Sequence, residues 1–296
     1  MFPLADIIIS SLVRGAFYVL VSASLALLFG IISVASFMHG DMAMLGGYSA
    51  YFVLMFLGLN PVVAVALTGV LMFAVGCFIE RSLLLPLRRI SGKLWMFNTF
   101  VLTLGISQVM QNGALAAFGP RFLGVRSLWP GEVNLAGTSV SVDRALFLLV
   151  SVLTIVLLWA FLKYSRLGRA IRAVGINEGA VPLFGVDVNR IYMFTFGISG
   201  LLAGVAGAFY MALFTTYPLM GVTPNLKAWI VVLIAGLGNV KGAVYCSFLL
   251  ALIETIAYYA LSEGWQNVIV VVLVILVLLF KPAGLFGTEV RGIWEK

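Results

Sequence analysis

No charged residue interrupts Trp265–Phe280, WQNVIVVVLVILVLLF, and comparable apolar runs recur along the whole chain. Several reach or approach the roughly 20 residues that cross a bilayer as a helix. A membrane β-barrel would instead show segments of about ten residues alternating apolar and polar, and no such alternation is present. The remaining solution in lipid is a bundle of helices, whose backbone polar groups are satisfied internally. Composition agrees: 62% of the residues are hydrophobic and 10% charged, against about 25% charged in soluble domains. The mean hydropathy is +1.14. The expected fold class is all-α, a single transmembrane domain over residues 1–296.

Spans fall near residues 7–37, 43–59, 61–79, 94–118, 145–162, 191–214, 226–240, 243–262 and 265–280, so eight to ten crossings are expected. The first is long enough to be tilted or broken. The segment 226–240 is too short for an ordinary span and suits a partly re-entrant or discontinuous element. Asp6 precedes the first run, with neither a basic leader nor a small-residue cleavage site, so that span is expected to stay in the mature protein. Cys77 and Cys246 stand alone in apolar runs and read as small buried hydrophobes.

Lys and Arg in short loops set orientation. Arg81, Arg88, Arg89 and Lys93 follow the third span; Lys163, Arg166, Arg169, Arg172 and Arg190 flank a polar central stretch; Lys281, Arg291 and Lys296 close the chain. All three clusters are expected in the cytoplasm. The connection 119–144 mixes Arg121, Arg126 and Arg144 with Glu132 and Asp143 and suits the outer face. Nine spans ending inside put the N-terminus outside. The net charge of +7 follows from this bias. A nucleic-acid surface would need a basic, aromatic-bearing soluble face, which the sequence lacks.

Catalytic and metal-binding patterns are missing as well. His39 is the single histidine, which excludes HExxH and a Ser-His-Asp triad on this chain. Ser91-Gly92-Lys93-Leu94 lacks the upstream glycine and the Ser or Thr of a Walker A loop, so no ATP hydrolysis of that kind is expected. Gly197, Gly200, Gly204 and Gly207 fall on one helical face and read as close helix packing. Gly236-Leu237-Gly238-Asn239-Val240-Lys241-Gly242 reads either as irregular backbone beside a cavity or as a plain cytoplasmic turn.

The ionisable residues within spans are few. Glu254, mid-span, should face protein or water or be protonated, in a functional or interface role or in a buried pair. Arg14 can snorkel or neutralise Asp6. His39 and Asp41 flank Gly40 at a span junction, where Asp41 either caps a helix or lines a pathway.

Leu28-Phe29-Gly30, Phe37-Met38-His39-Gly40-Asp41 and Met44-Leu45-Gly46-Gly47-Tyr48 resemble the signature of the branched-chain amino-acid (LIV-type) ABC transporter permeases. A second block, Gly168-Arg169-Ala170, Arg172-Ala173-Val174, Asn177-Glu178, Ala180, Leu183 and Gly185-Val186, is similar to the family's cytoplasmic loop. A third runs from Pro218, Met220-Gly221 and Leu226-Lys227-Ala228 through Gly236, Gly238 and Gly242-Ala243 to Glu254. Ser36 and Asp41 stand where the family often has Asn and Glu, and Asn239-Val240-Lys241 replaces the commoner Ser-Ile-Pro.

The resemblance implies the shorter of two permease subunits, pairing as a heterodimer with a second permease, two ATP-binding cassette ATPases and a periplasmic solute-binding protein in a bacterial inner membrane. It implies no cofactor. The expected cargo is branched-chain or other hydrophobic amino acids. The same signature serves urea, short amides and aromatic compounds, and a secondary transporter or channel is the rival class.

Two sets of residues carry the expected function. A translocation pathway is assigned to His39, Gly40, Asp41, Lys227, Gly236, Gly238, Gly242 and Glu254. The cytoplasmic coupling loop is 163–190. Within it Leu167, Ile171 and Val174 form one apolar stripe of a short amphipathic helix lying along the membrane. Gly175 can end that helix, Asn177 can cap a second turn, and Gly185 can close it. From the residues alone such an element can simply lie on anionic lipid, its arginines serving as a topological anchor; the resemblance makes Gly168, Arg169, Arg172, Asn177, Glu178, Leu183 and Gly185 the ATPase-coupling residues.

Overall fold

The computed structural model describes residues 4–125, 127–135, 138–261 and 263–287, and these are mostly helical. Arg126, Arg291 and Lys296, used in the charge argument, lie outside the described residues. The helices are α1 (Leu4–Ile32), α2 (His39–Leu57), α3 (Pro61–Ile79), α4 (Leu85–Ser91), α5 (Trp95–Phe118), α6 (Val142–Tyr164), α7 (Arg166–Ile176), α8 (Val188–Leu213), α9 (Val222–Ala235), α10 (Val240–Ala260) and α11 (Glu263–Phe280). Strands β1 (Glu132–Leu135) and β2 (Thr138–Ser141) form a small antiparallel hairpin before α6, a detail the all-α expectation lacked.

Among the described residues seven helical rods are long and apolar enough to cross a membrane: α1, α2, Pro61–Ser91, α5, α6, α8 and α10. The apolar helices α9 and α11 are shorter. With them, every span read from the sequence has a helix. The boundaries differ by four or more residues in three places, one of them α9, which runs from Val222 to Ala235 rather than over 226–240. The first span stops at Ile32 and a non-helical stretch leads to α2, which starts at His39 rather than 43. The third continues through a π-turn, Glu80–Leu84, into α4, because Glu80 is buried and paired with Arg88 instead of ending the helix in water.

Small residues decide the centre of the bundle. A Cβ on Gly46 would meet the Gly204 carbonyl oxygen at 2.6 Å, and Gly200 and Gly207 abut the carbonyls of Met72 and Ala43. The glycine face of α8 therefore lets α2 and α3 approach to backbone contact, as expected from its spacing. Around α1 and α8, the helices α3, α5 and α6 keep broad apolar faces exposed, among them Val101, Val109, Val152 and Leu157.

One end of the bundle gathers most of the basic residues, Arg14, Arg121 and Arg144 lying toward the other. Gly238, in the α9–α10 turn, and Gly175, on α7, both press on Gly30 at the end of α1. Arg88 donates to Asn189 at the start of α8 across 3.4 Å. After α11, Leu285 and Phe286 donate to the carbonyls of Ile234 and Ala235 (2.7 and 3.0 Å). Lys163, Arg172, Lys241 and Lys281 thus share this end with Arg81, Arg88, Arg89 and Arg190. At the other end Asp143 accepts from Ser127 Oγ and from the Leu128 and Trp129 amides (2.8, 3.2 and 2.8 Å), organising the long connection before α6.

Candidate functional site

The break between α1 and α2 puts bare backbone inside the bundle, where lipid offers no hydrogen bonds. Side chains of α9 and α5 satisfy it. Asn225 Nδ2 donates to the Phe37 carbonyl (2.8 Å), Trp229 Nε1 donates to that of Ser36 (3.2 Å), and the Phe37 amide donates to Thr103 Oγ1 (3.4 Å). Trp229 also stacks on Phe37 at 5.1 Å. A second irregular stretch, 214–221, descends beside α2 and touches it where Gly40 abuts the Gly221 carbonyl. Any side chain on Gly40 would separate the two.

His39 and Asp41 point in different directions from the first turn of α2. His39 Nε2 lies 2.8 Å from Ser199 Oγ, whose one proton goes to the Ser24 carbonyl at 3.0 Å, so the imidazole donates through Nε2. Asp41 does not cap α2. Its carboxylate accepts from Ser107 Oγ (2.5 Å) and Gln111 Nε2 (3.0 Å) on α5. Thr99, Thr103, Ser107 and Gln111 recur every four residues and are all buried, a polar stripe on an otherwise apolar helix.

Lys227 and Glu254 meet elsewhere, on the opposite side of α9. Lys227 Nζ pairs with Glu254 Oε1 and donates to Asn267 Oδ1 at 3.0 Å; Tyr18 Oη donates to Glu254 Oε2 at 2.7 Å. Four helices, α1, α9, α10 and α11, are joined by this one buried pair. Of the roles weighed for Glu254, the structure displays the paired one. Arg14 lies over the Tyr258 ring at 5.6 Å.

The glycines Gly236, Gly238 and Gly242 form a third location, the α9–α10 turn at the basic end. Gly236 and Gly238 have φ of 99° and 82°, and Asn239 Oδ1 caps α10 by accepting from the Gly242 amide at 2.9 Å. A Cβ on Gly238 would meet the Gly30 Cα at 2.7 Å, so packing already requires this glycine. The eight residues expected to line a pathway thus occupy three separate places, and Asn225, Trp229, Ser107, Gln111 and Ser199 join the first of them. The four-residue spacing along α5 was visible in the sequence. Asn225 and Trp229 carry no such signal, since only the path of the chain brings them to the break.

In the segment 163–190, expected to couple to an ATPase, Ser165 caps α7 by accepting from the Gly168 amide at 2.8 Å. Ile171 and Val174 are buried, while Leu167 is only part of the way under cover at 39% exposure. Gly175 does not end the helix, which continues to Ile176; it is small because it lies on Gly30. Asn177 Oδ1 accepts from the Gly179 and Ala180 amides (3.1 and 3.2 Å), and a short 3-10 turn, Val181–Phe184, closes at Gly185 with φ of 76°. Arg169 and Arg172 reach back to the Tyr164 and Lys163 carbonyls (3.1 and 3.4 Å), covering the end of α6. Glu178 is exposed. The tip presents Ile176, Leu183 and Phe184, at 87%, 85% and 84% exposure.

Broken helices satisfied by side chains, glycine-mediated backbone contacts and a hydrogen-bonded loop at the basic end define a polytopic helical membrane protein. The family described as branched-chain amino acid transport system / permease component matches residues 7–278. The chain belongs to that family. The high-affinity branched-chain amino acid transport system permease protein LivH of Escherichia coli is 28% identical over 287 residues, 92% of each chain. BraD of Pseudomonas aeruginosa, a permease protein of the same description, is 29% identical over 95% of this chain and 94% of its own. The probable LivH of Methanocaldococcus jannaschii is 26% identical over 94% and 90%. The family comprises permease subunits of ABC transporters, which move solutes and are not themselves enzymes.

Proposed function

We propose that this chain is one of two permease subunits of an ABC importer in the bacterial inner membrane, carrying branched-chain or other hydrophobic amino acids inward. Two ATPase subunits drive it and a periplasmic solute-binding protein delivers the cargo. The observation that carries the reading is the coupling loop. Its backbone is pinned by Asn177 and Gly185, it is braced on α1 through Gly175, and it holds Leu183 and Phe184 out at the basic end. An apolar tip on a rigid mount fits a groove on a partner. Positive residues at that end support a cytoplasmic placement, with the C-terminus inside and the N-terminus outside.

The second permease meets α5. Gln108 and Asn112 stand on its exposed face with Gly105 and Gly113, which have open space beside them. Polar side chains at that depth are costly against lipid and are accommodated by protein or a water-filled path. Behind this face lies the Asp41, Ser107 and Gln111 cluster, so the seam between α2 and α5 is the assigned route. Alternating access follows when nucleotide-driven motion of the ATPases changes the spacing of the permeases.

The test is uptake of radiolabelled leucine, isoleucine and valine into proteoliposomes holding the full complex and its binding protein. ATP-dependent, vanadate-sensitive accumulation is the expected result. Uptake without ATPases would show a secondary transporter or channel, and transport of urea, short amides or aromatics alone would reassign the cargo.

A further inference from the structure

A groove of about 760 Å³ opens at the basic end between α1, α6, α7 and the α9–α10 turn. Leu27, Ile155, Leu158 and Val244 are among its walls, and Lys163, Arg172 and Lys241 line it too. Among the described residues no carboxylate lines it, and none of these three cations pairs with an acid. Lys163 Nζ sits 4.6 Å over the Trp159 ring, holding the ammonium beside the groove. From Lys163 to Ile155 the wall follows α6 for about 12 Å, along a helix whose neighbouring side chains Val152, Val156 and Leu157 are exposed.

We infer that this groove binds one anionic phospholipid, its phosphate between Lys163, Arg172 and Lys241 and an acyl chain along α6. A soluble anion uses the charges but leaves the apolar wall uncovered; a neutral lipid uses the wall but not the charges. Basic pockets between transmembrane helices recognise acidic headgroups in this way. Arg172 and Gly175 belong to α7, so the bound lipid forms part of the seat of the coupling segment. Assignment to the inner leaflet rests on the topology proposed above, whereas the groove and its charges do not.

The experiment is native mass spectrometry of the full chain in detergent, titrated with phosphatidylglycerol or phosphatidylcholine, and it requires neither ATPase nor transport. One phosphatidylglycerol is expected to bind in preference to phosphatidylcholine and to survive excess inorganic phosphate. Combined Lys163→Gln, Arg172→Gln and Lys241→Gln should weaken it roughly fivefold per cation, about a hundredfold in all. Leu158→Trp, which fills the wall and keeps every charge, should also reduce binding. Arg81→Gln with Arg89→Gln, at another part of the basic end, should not. Equal retention of both lipids, displacement by phosphate, or unchanged binding in both the triple variant and Leu158→Trp would overturn the inference.

Discussion

Lys227 and Glu254 illustrate how single residues hold this bundle. Each is buried, and each is tolerable only because of the other. Glu254→Leu or Lys227→Met alone leaves an uncompensated charge and is expected to cost about 3–5 kcal/mol, while the double variant recovers most of the loss. Unfolding midpoints of purified protein in detergent check this, and additive losses in the double variant would contradict it. Gly40 is a constraint of another kind. Gly40→Ala forces α2 off the Gly221 carbonyl and is expected to lower the yield of folded, membrane-inserted protein, whereas Gly105→Ala meets nothing within 4 Å and should leave it unchanged. The presence of a lone glutamate, histidine and aspartate within spans was legible in the sequence. Their partners were not, because Tyr18 and Glu254, or His39 and Ser199, are distant in sequence and meet only after the helices pack.

At the scale of elements, hydrophobic length located nearly every helix and the spacing of Gly197, Gly200, Gly204 and Gly207 foretold the close α8 packing. The break after Ile32 was less visible. Residues 33–38 are ordinary apolar and small residues, and their non-helical path depends on Asn225 and Trp229, nearly two hundred positions away in the chain. The short length of α9 was readable, as was a second turn closing at Gly185, but Asn177 holds the Gly179 and Ala180 amides ahead of that turn and does not cap it. Exposure on α5 leads to a further prediction. Gly105→Leu is expected to leave the isolated subunit folded, with its size-exclusion profile unchanged, and to remove the second permease from material copurified with this chain. Retention of the partner in full amount would mean that α5 faces lipid and the subunit contact lies on another helix.

The whole molecule divides into a basic end and an opposite end organised by Asp143, and this polarity is the basis of the proposed topology. Reporters after Lys93, within 163–190 or after Lys296 should read cytoplasmic, and one within 122–140 periplasmic; inversion at two of these sites overturns the topology. Family membership defines a permease, but the mechanism depends on whether the tip of the coupling loop receives force from an ATPase. Leu183 has 85% of its surface exposed, so replacing it disturbs little within this chain. The most direct measurement is therefore ATP-driven uptake and ATPase copurification for Leu183→Asp, beside its level in the membrane. Loss of both activities with normal insertion is the predicted result. Normal uptake with the ATPase still bound would contradict the account and leave the loop as a topological anchor.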